Sequence, residues 1–288
     1  MLIPFTDTDC DVTPEIAAEY GYRLISMPYS VDGRTVYPYE DFDVFDSRGF
    51  YDMLRSGVIP TTSAITEQKY REYFEPVFAE GNDILYVHFS AAMSATFGIM
   101  NGVVSELLEK YPGRRFYTVD TMGITIVSLL VVREVGDMLK AGRSPEEIVS
   151  WAAENVPCFS QYFFADDLKF FRRSGRVSGL AAVMGGIIGI RPIIYMDGEG
   201  KMVSIGKETG RQKALNRLLS YVEELGDDVA SHRVIIGHTD APELAENLRQ
   251  LLVRKYGDIE IEIRVTNPTA GAHCGPNGVG VAFRSKHR

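Results

Sequence analysis

Short apolar runs alternate with amphipathic segments over the first 155 residues, a pattern typical of buried strands followed by helices. Strands are predicted at residues 2–5, 23–31, 35–37, 84–89 and 116–119. Helices are predicted over 46–54, 66–78 and 94–111, and a long one from the end of the strand near Asp120 to about residue 140. Two more are predicted to begin after Thr13 and after Ser144. This alternation predicts a mainly parallel sheet covered on both faces, so we expect residues 1–157 to form a three-layer α/β/α domain.

The second half has a less regular pattern. Segments with strand character lie at 161–164, 187–196, 201–207, 233–237, 259–265 and 279–283. Helices are predicted at 166–173, 210–225 and 242–255, and a Gly/Pro-rich loop before residue 279. A hairpin around Asp197-Gly-Glu-Gly200 implies antiparallel pairing. We therefore expect residues 158–288 to form a second, mixed α+β domain, which makes the fold class α/β with two domains.

Composition and net charge narrow the classes of molecule that the protein could bind. The 288 residues are 45% hydrophobic and 24% charged, which is typical of a globular protein, and the formal net charge is −9. A net negative charge disfavours nucleic acid and anionic membrane surfaces as the main partner. The N-terminus lacks a basic segment and so does not resemble a secretory signal. The longest apolar stretch, 180–196, is interrupted by glycines and Arg191 and is too short to span a membrane.

The cysteines and histidines show no spacing that would hold a metal. Cys10, Cys158 and Cys274 are far apart, and neither Cys-x-x-Cys nor His-x-x-His pairs occur, so we expect no metal site and a reducing, cytoplasmic setting. No glycine-rich nucleotide loop is present either. The sequence therefore predicts no cofactor.

Small hydroxyl residues and one histidine follow apolar segments. They are Thr61, Thr62 and Ser63 after Pro60; Ser90, Ser94 and Thr96 after strand 84–89; and His273 within Gly271-Ala-His-Cys-Gly-Pro-Asn-Gly278. Parallel sheets bind ligands at the carboxyl ends of their strands, which makes Asp7, Ser90 and Asp120 candidates for one shared edge. The hydroxyl residues and His273 together form a donor cluster that could hold one small anionic group.

Each candidate also has a structural interpretation. Ser94 could be a helix cap, the Thr61 segment a turn, and His273 a loop residue. Asp7 and Asp9 could bind a cation or orient nearby donors. The basic segment 172–176 could be a solvated face, with Arg176 its member best placed to turn inward towards an anion.

Several motifs, in order and spacing, resemble the DegV family over nearly the whole chain. The motifs are Thr6-Asp-Thr8, Pro60-Thr-Thr-Ser63, Ser90-Ala-Ala-Met-Ser-Ala-Thr-Phe97, Val119-Asp-Thr121, Ser174-Gly-Arg-Val-Ser178, Ile190-Arg-Pro-Ile-Ile194, Gly210-Arg-Gln-Lys-Ala214 and His273-Cys-Gly-Pro276. That family includes the fatty-acid-binding subunits of bacterial fatty acid kinase. The resemblance implies two α/β domains, an acyl chain in a buried tunnel, and its carboxylate near the domain junction.

Carried over by position, the resemblance implies that Thr62, Ser94 and His273 bind the carboxylate and that Arg176 supports them. Arg211 falls where the family has a basic residue implicated in docking the kinase. Secondary candidates for the ligand site are Ser63, Ser90, Ala95, Thr96, Asp7 and Asp120. The apolar run 180–196 supplies the candidate tunnel residues Met184, Ile187, Ile188 and Ile190.

Three positions depart from the family pattern. Ala95 and Asn277 stand where the family has glycine, and Cys274 stands where it often has threonine. Ser94 and His273 are retained, whereas the carboxylate geometry and the preferred chain are left open.

The function expected is a carrier rather than an enzyme: it binds a long-chain fatty acid and presents the carboxylate to a separate kinase subunit that forms an acyl phosphate. Two alternatives remain. One is an ester or thioester hydrolase, or an acyltransferase, using Ser94 or Cys274 with His273. The other is a lipid-binding sensor without a kinase partner.

Overall fold

The structure, a computed structural model, describes residues 1–180 and 189–288. Its strands are β1 (Leu2–Asp7), β2 (Arg23–Ile25), β3 (Tyr29–Val31), β4 (Arg34–Val36), β5 (Thr61–Thr62), β6 (Asp83–His88), β7 (Phe116–Asp120), β8 (Phe159–Phe164), β9 (Val177–Ser178), β10 (Ile190–Met196), β11 (Met202–Thr209), β12 (Val234–His238), β13 (Ile261–Val265) and β14 (Val279–Arg284). Its α-helices are α1 (Pro14–Tyr20), α2 (Ser47–Arg55), α3 (Glu67–Ala79), α4 (Thr96–Lys110), α5 (Ile126–Lys140), α6 (Pro145–Asn155), α7 (Leu168–Ser174), α8 (Arg211–Leu225), α9 (Pro242–Tyr256) and α10 (Pro268–Cys274).

The first sheet is parallel, as the alternating pattern predicts. Its strand order is β2-β1-β6-β7, and all three pairings are parallel. Residues 84–88 of β6 are buried on both faces of the sheet, because helices α3 and α5 both pack on this strand. The prediction of a mainly parallel N-terminal sheet is therefore confirmed.

The second sheet is mixed, which confirms the prediction for the second half. Its order is β13-β12-β14-β8-β10-β11-β9, with parallel pairing only between β12 and β13 and between β9 and β11 among the strands that the structure describes. Helices α8 and α9 pack together and bury residues such as Leu218 and Leu248 in a core of their own. The chain thus combines two sheets of different topology.

Helix α5 joins the two sheets. It packs on β6 of the first sheet and on β8, β12 and β14 of the second. Ten residues of this 15-residue helix are buried, as expected of a helix enclosed on all sides. Gly237 lets it approach closely, since a Cβ atom on Gly237 would lie 2.8 Å from Ile126 Cγ2. One hydrophobic core therefore continues across residue 157, and the division of domains at that point stays a prediction.

The predicted strand 23–31 is wrong in part, because the structure has two strands there, separated by residues 26–28 and belonging to different sheets. Strand β2 pairs with β1, whereas β3 pairs antiparallel with β4 and β5 in a small third sheet. Pro28 lies in the break and has no N–H for a ladder. The Thr8 hydroxyl instead accepts a hydrogen bond from the Met27 N–H at 2.9 Å, which fixes the turn.

The predicted loop before residue 279 is also wrong in part, because it contains helix α10. Asn267 caps this helix by accepting the Ala270 N–H at 2.9 Å, and Pro268 occupies its first turn. Tyr51 and Phe170 pack with Ala272 of α10 in a third core cluster. His273 therefore lies in a helical turn held by packing.

No helix among residues 1–180 and 189–288 is long and apolar enough to cross a membrane.

Close packing of α5 yields a stability prediction. A Cβ atom on Gly136 would lie 2.3 Å from Cδ1 of the buried Tyr20 ring, so we expect Gly136→Ala to lower the free energy of unfolding by about 1–3 kcal/mol. Gly102 of α4 has open space around it, so Gly102→Ala should raise that energy by about 0.5–1 kcal/mol. Urea denaturation of both variants measures these changes, and equal effects of the two would contradict this account of the packing.

Candidate functional site

A cavity lies between the two sheets, beside the first turn of α5. Its volume, including the open space at its mouth, is about 1170 Å³. Apolar side chains from both halves of the chain line it, among them Phe89, Ile126, Phe163, Phe171 and Met202. Six of the predicted site residues line the same cavity: Thr62, Ser63, Ser94, Ala95, Arg176 and His273. The fold thus brings the polar segments of the sequence to one apolar cavity.

His273 and Thr62 meet directly. The His273 Nε2 atom lies 2.9 Å from the Thr62 hydroxyl oxygen, although 211 positions separate them. Burial, followed by the nearby Arg176 guanidinium, lowers the pKa of His273 from 6.5 to about 4. The imidazole is therefore neutral at pH 7, and with the Thr62 hydroxyl it offers a hydrogen-bond donor without a charge of its own.

Ser94 lies where the loop after β6 enters α4. Its hydroxyl accepts the Thr96 N–H at 3.2 Å, a bond within the turn before the helix, whose N-cap position is Ala95 rather than Ser94. The same side chain lines the cavity, and a hydroxyl that accepts one bond keeps its hydrogen for a ligand. The N-terminal amide groups of α4 add a partial positive charge here.

Arg176 marks the mouth of the cavity. It is exposed, and its guanidinium donates to the Ser174 carbonyl oxygen at 2.7 Å. Thr62, Arg176 and His273 also line a neighbouring pocket together with Arg173. A positive local charge thus lies at the entrance although the whole chain is negative.

Four secondary candidates hold the loops behind the cavity and are not among its described lining residues. Buried Asp7 accepts the Tyr86 hydroxyl at 2.9 Å and the Phe89 and Cys10 N–H groups. Burial raises the pKa of Asp7 to about 7, against the effect of these hydrogen bonds. Asp120 accepts the N–H groups of Ala91 and Met122.

Ser90 and Thr96 are also engaged with the protein. The Ser90 hydroxyl donates to the Gly200 carbonyl oxygen at 2.7 Å, which ties the turn between β10 and β11 to the loop before Ser94. The Thr96 hydroxyl is 2.8 Å from the Tyr70 hydroxyl and accepts the Ile65 N–H. Both side chains therefore position the loops that carry Ser63 and Ser94.

Of the tunnel and docking candidates, the structure describes only Ile190 and Arg211. Ile190 begins β10 and is not among the described lining residues, while Met184, Ile187 and Ile188 lie outside the described residues. Arg211 is exposed and forms a two-pronged ion pair with Asp166, at 3.1 and 2.7 Å. It lies at the first turn of α8.

Sequence reasoning missed part of the lining. Thr125 and Gln161, which the sequence did not single out, are buried polar residues on the cavity wall, as is Asp9, which the sequence offered as a cation ligand or an orienting group. The Gln161 side chain accepts the Val127 N–H at 3.0 Å and donates to the Thr125 hydroxyl at 3.3 Å. An amide within the apolar strand Phe159–Phe164 was the available signal, because buried polar groups in strands need partners.

A thiol nucleophile is disfavoured by the surroundings of Cys274. Burial, with the charges of Asp11 and Asp9, raises the pKa of this thiol to about 12, so it is protonated at pH 7. All three cysteines are free. No group of three His, Cys, Asp or Glu residues that could hold a metal ion occurs in the described part of the chain.

The sequence model described as "Uncharacterised protein, DegV family" matches residues 5–286. The chain belongs to the DegV family. The DegV domain-containing protein CPE0026 of Clostridium perfringens is 31% identical over 283 residues, which cover 97% of this chain and 96% of that protein.

Two solved structures share the two-domain fold of this DegV protein. A fatty-acid-binding DegV protein of Thermus thermophilus superposes with a TM-score of 0.87 at 21% identity, covering 99% of each chain. A stearic-acid-binding protein of Eubacterium ventriosum gives a TM-score of 0.86 at 20% identity, again over 99% of each chain.

The lowered pKa of His273 predicts a pH dependence for the ligand-free DegV protein. Between pH 4 and 6.5 the unfolded chain binds a proton at this residue that the folded chain does not, so lowering the pH through this window destabilises the fold. We expect the free energy of unfolding of wild type minus that of His273→Gln to fall as pH drops from 7 to about 4.5. Denaturant titrations at several pH values measure it.

Buried carboxyl groups titrate in the opposite sense; among them, the pKa values of Asp7 and Asp11 are raised to about 7. These carboxyl groups are present in wild type and in His273→Gln, so their contributions cancel in the difference between the two free energies of unfolding. A difference that stays constant with pH would contradict a neutral His273.

Proposed function

We propose that this protein binds a long-chain fatty acid, with the carboxylate held by Thr62, Ser94 and His273 and the acyl chain in the apolar cavity. The observation that supports it is the contact between Thr62 and His273 on the wall of a large apolar cavity that also contains Ser94. The two solved relatives are described as binding fatty acid and stearic acid.

The polar end suits a carboxylate. The Ser94 hydroxyl and the Thr62–His273 pair each offer a donor to the carboxylate, and hydrogen bonds to a charged acceptor each contribute about 1.5–3 kcal/mol. Arg176 supplies a neighbouring positive charge, which offsets the cost of bringing the anion out of bulk water. The neutral state of His273 leaves room for its pKa to rise when the anion binds.

The apolar end supplies most of the affinity. Burying a tail of about 15 carbons at about 0.8 kcal/mol each contributes about 12 kcal/mol. Loss of translational freedom and ordering of the tail offset about half or more of that value. The remainder corresponds to micromolar or tighter binding, which is enough for lipid to persist through purification.

Hydrolase or acyltransferase chemistry has less support. A serine nucleophile needs a base within hydrogen-bond reach, yet Ser94 accepts the Thr96 N–H and His273 Nε2 faces Thr62. Cys274 is held as a thiol. These side chains are therefore better arranged to bind a carboxylate than to attack an ester.

Lipid extraction tests the binding proposal. We expect wild-type protein purified from a bacterial host to carry about one fatty acid per chain, and Ser94→Ala/His273→Gln to carry at most a tenth of that. Mass spectrometry of the denatured protein measures both, and stearic acid added to delipidated protein should bind about 10- to 100-fold more weakly to the double variant.

The matched control is Ser231→Ala/His232→Gln. It makes the same two exchanges at two residues that are adjacent in the sequence and are not among the described lining residues of the cavity. It should retain the lipid. An empty wild type that also fails to bind added stearic acid would refute fatty acid binding. Equal loss in both variants would refute the assigned carboxylate site.

We further propose that the bound carboxylate is presented to a separate kinase subunit. In that reaction a carboxylate oxygen attacks the γ-phosphorus of ATP, the bond to ADP breaks, and an acyl phosphate forms. The location of Thr62 and His273 beside a second, surface pocket with Arg173 supports access from outside. Use of ATP would place the protein in the cytoplasm.

Arg211 tests the docking part of this proposal. With a bacterial fatty acid kinase subunit, ATP and bound stearic acid, we expect Arg211→Ala to lower acyl phosphate formation at least about tenfold while lipid binding is unchanged. Trapping with hydroxylamine measures the product. Arg217→Ala is the matched control, because Arg217 is on the same helix, is similarly exposed and pairs with Glu208. Normal product with Arg211→Ala would reject this docking role, and no product with wild type would favour the lipid sensor.

A further inference from the structure

The cavity has a second polar region, apart from the residues assigned to the carboxylate. Asp9 follows β1, Thr125 precedes α5, and Gln161 lies within β8; all three line the cavity. Their exposed fractions are 6%, 6% and 4%. In contrast, Ser63, Ala95 and Arg176 at the mouth are exposed. The second region is therefore an inner wall of the cavity, which we call the inner polar wall.

Hydrogen bonds connect the three residues of the inner polar wall. The Thr125 N–H donates to the Asp9 carbonyl oxygen at 2.7 Å, and the Gln161 amide donates to the Thr125 hydroxyl at 3.3 Å. Thr125 holds this position in a backbone conformation with φ of 57°, which is rare for a β-branched residue. The wall is thus built from three separate segments of the chain and held in one arrangement.

The Asp9 carboxyl lacks a partner. Its Oδ1 atom is buried and accepts no hydrogen bond from the residues that the structure describes. Burial, followed by the charges of Asp7 and Asp11, raises its pKa well above the usual range. The charge of Asp9 also acts on the Cys274 thiol, another lining group. In either protonation state the Asp9 carboxyl keeps an oxygen that can accept a hydrogen bond.

We propose that the inner polar wall binds a hydroxyl group on the acyl chain, so that the preferred ligand is a hydroxy fatty acid rather than an unsubstituted one. This inference rests on the fatty-acid binding proposed above. A chain hydroxyl can donate a hydrogen bond to the Asp9 oxygen that has no partner among the described residues. A plain methylene at the same place would leave the buried Asp9 oxygen unpaired, which is unfavourable.

The alternative occupant is a buried water, which polar cavities often hold. Water would satisfy Asp9 with any acyl chain and would give no preference for a hydroxylated one. A chain hydroxyl that displaces the water reproduces its hydrogen bonds at a fixed position along the chain. The two occupants therefore differ in a measurable way, namely the dependence of affinity on the presence and position of the hydroxyl.

A binding series tests the inference on delipidated protein. The ligands are stearic acid and a set of monohydroxystearic acids with the hydroxyl at successive positions, measured by calorimetry or by displacement of a fluorescent fatty acid. We expect wild type to bind at least one positional isomer about tenfold or more tightly than stearic acid. Asp9→Leu should abolish this preference, measured as the ratio of the affinities for the isomer and for stearic acid within the same variant, because the exchange removes the unpaired polar group.

Asp9→Asn is the matched variant, since the amide retains an acceptor oxygen; it should keep the preference within about threefold. If stearic acid binds to wild type as tightly as every hydroxylated isomer, the inference is wrong and fatty-acid binding stands. A preference that survives in Asp9→Leu also overturns it. If neither stearic acid nor any isomer binds to wild type, both proposals fail. Stearic acid binding to Asp9→Leu shows that this variant is folded.

Discussion

The burial of α5 between two sheets is the constraint on which the rest of the molecule depends. Ten buried residues of this helix require apolar partners on more than one side. Neither sheet alone covers it, because it packs on β6 of one and on β8, β12 and β14 of the other. Since the cavity adjoins its first turn, the same packing that joins the halves also sets the distance between the walls of the site.

The site combines groups whose properties arise from burial rather than from residue type. Burial lowers the pKa of His273 to about 4, which holds the imidazole neutral at pH 7, and it raises the pKa of Asp9 above the usual range. Both effects follow from placing polar groups against an apolar cavity. The residues behind the wall, such as Asp7 and Asp120, satisfy loop N–H groups and so keep the hydroxyl-bearing loops in place.

Periodicity predicted both sheet types and most of the helices, because strand–helix alternation and caps such as Ser144 are local signals. It failed at residues 23–31, where the choice between two sheets is made by a distant hydroxyl, that of Thr8. It also missed α10, although Asn267-Pro268 is a helix-start signal. The pairing of Thr62 with His273 could not be obtained from local pattern, since tertiary folding brings them together; the resemblance to the DegV family supplied it.

The contact between Ser90 and the turn at Gly200 has a consequence for engineering. Exposed hairpin turns are usually good places for inserted sequences or new chain termini. This turn is different, because Gly200 has a φ of 74° and a Cβ atom there would lie 2.3 Å from the Ser90 oxygen. A tag or a circular permutation at residues 197–200 would displace the loop that carries Ser94. Fusions are therefore better placed elsewhere, for instance at the Asp32-Gly33 turn. A Cβ atom on Gly33 would have no other atom within 4 Å.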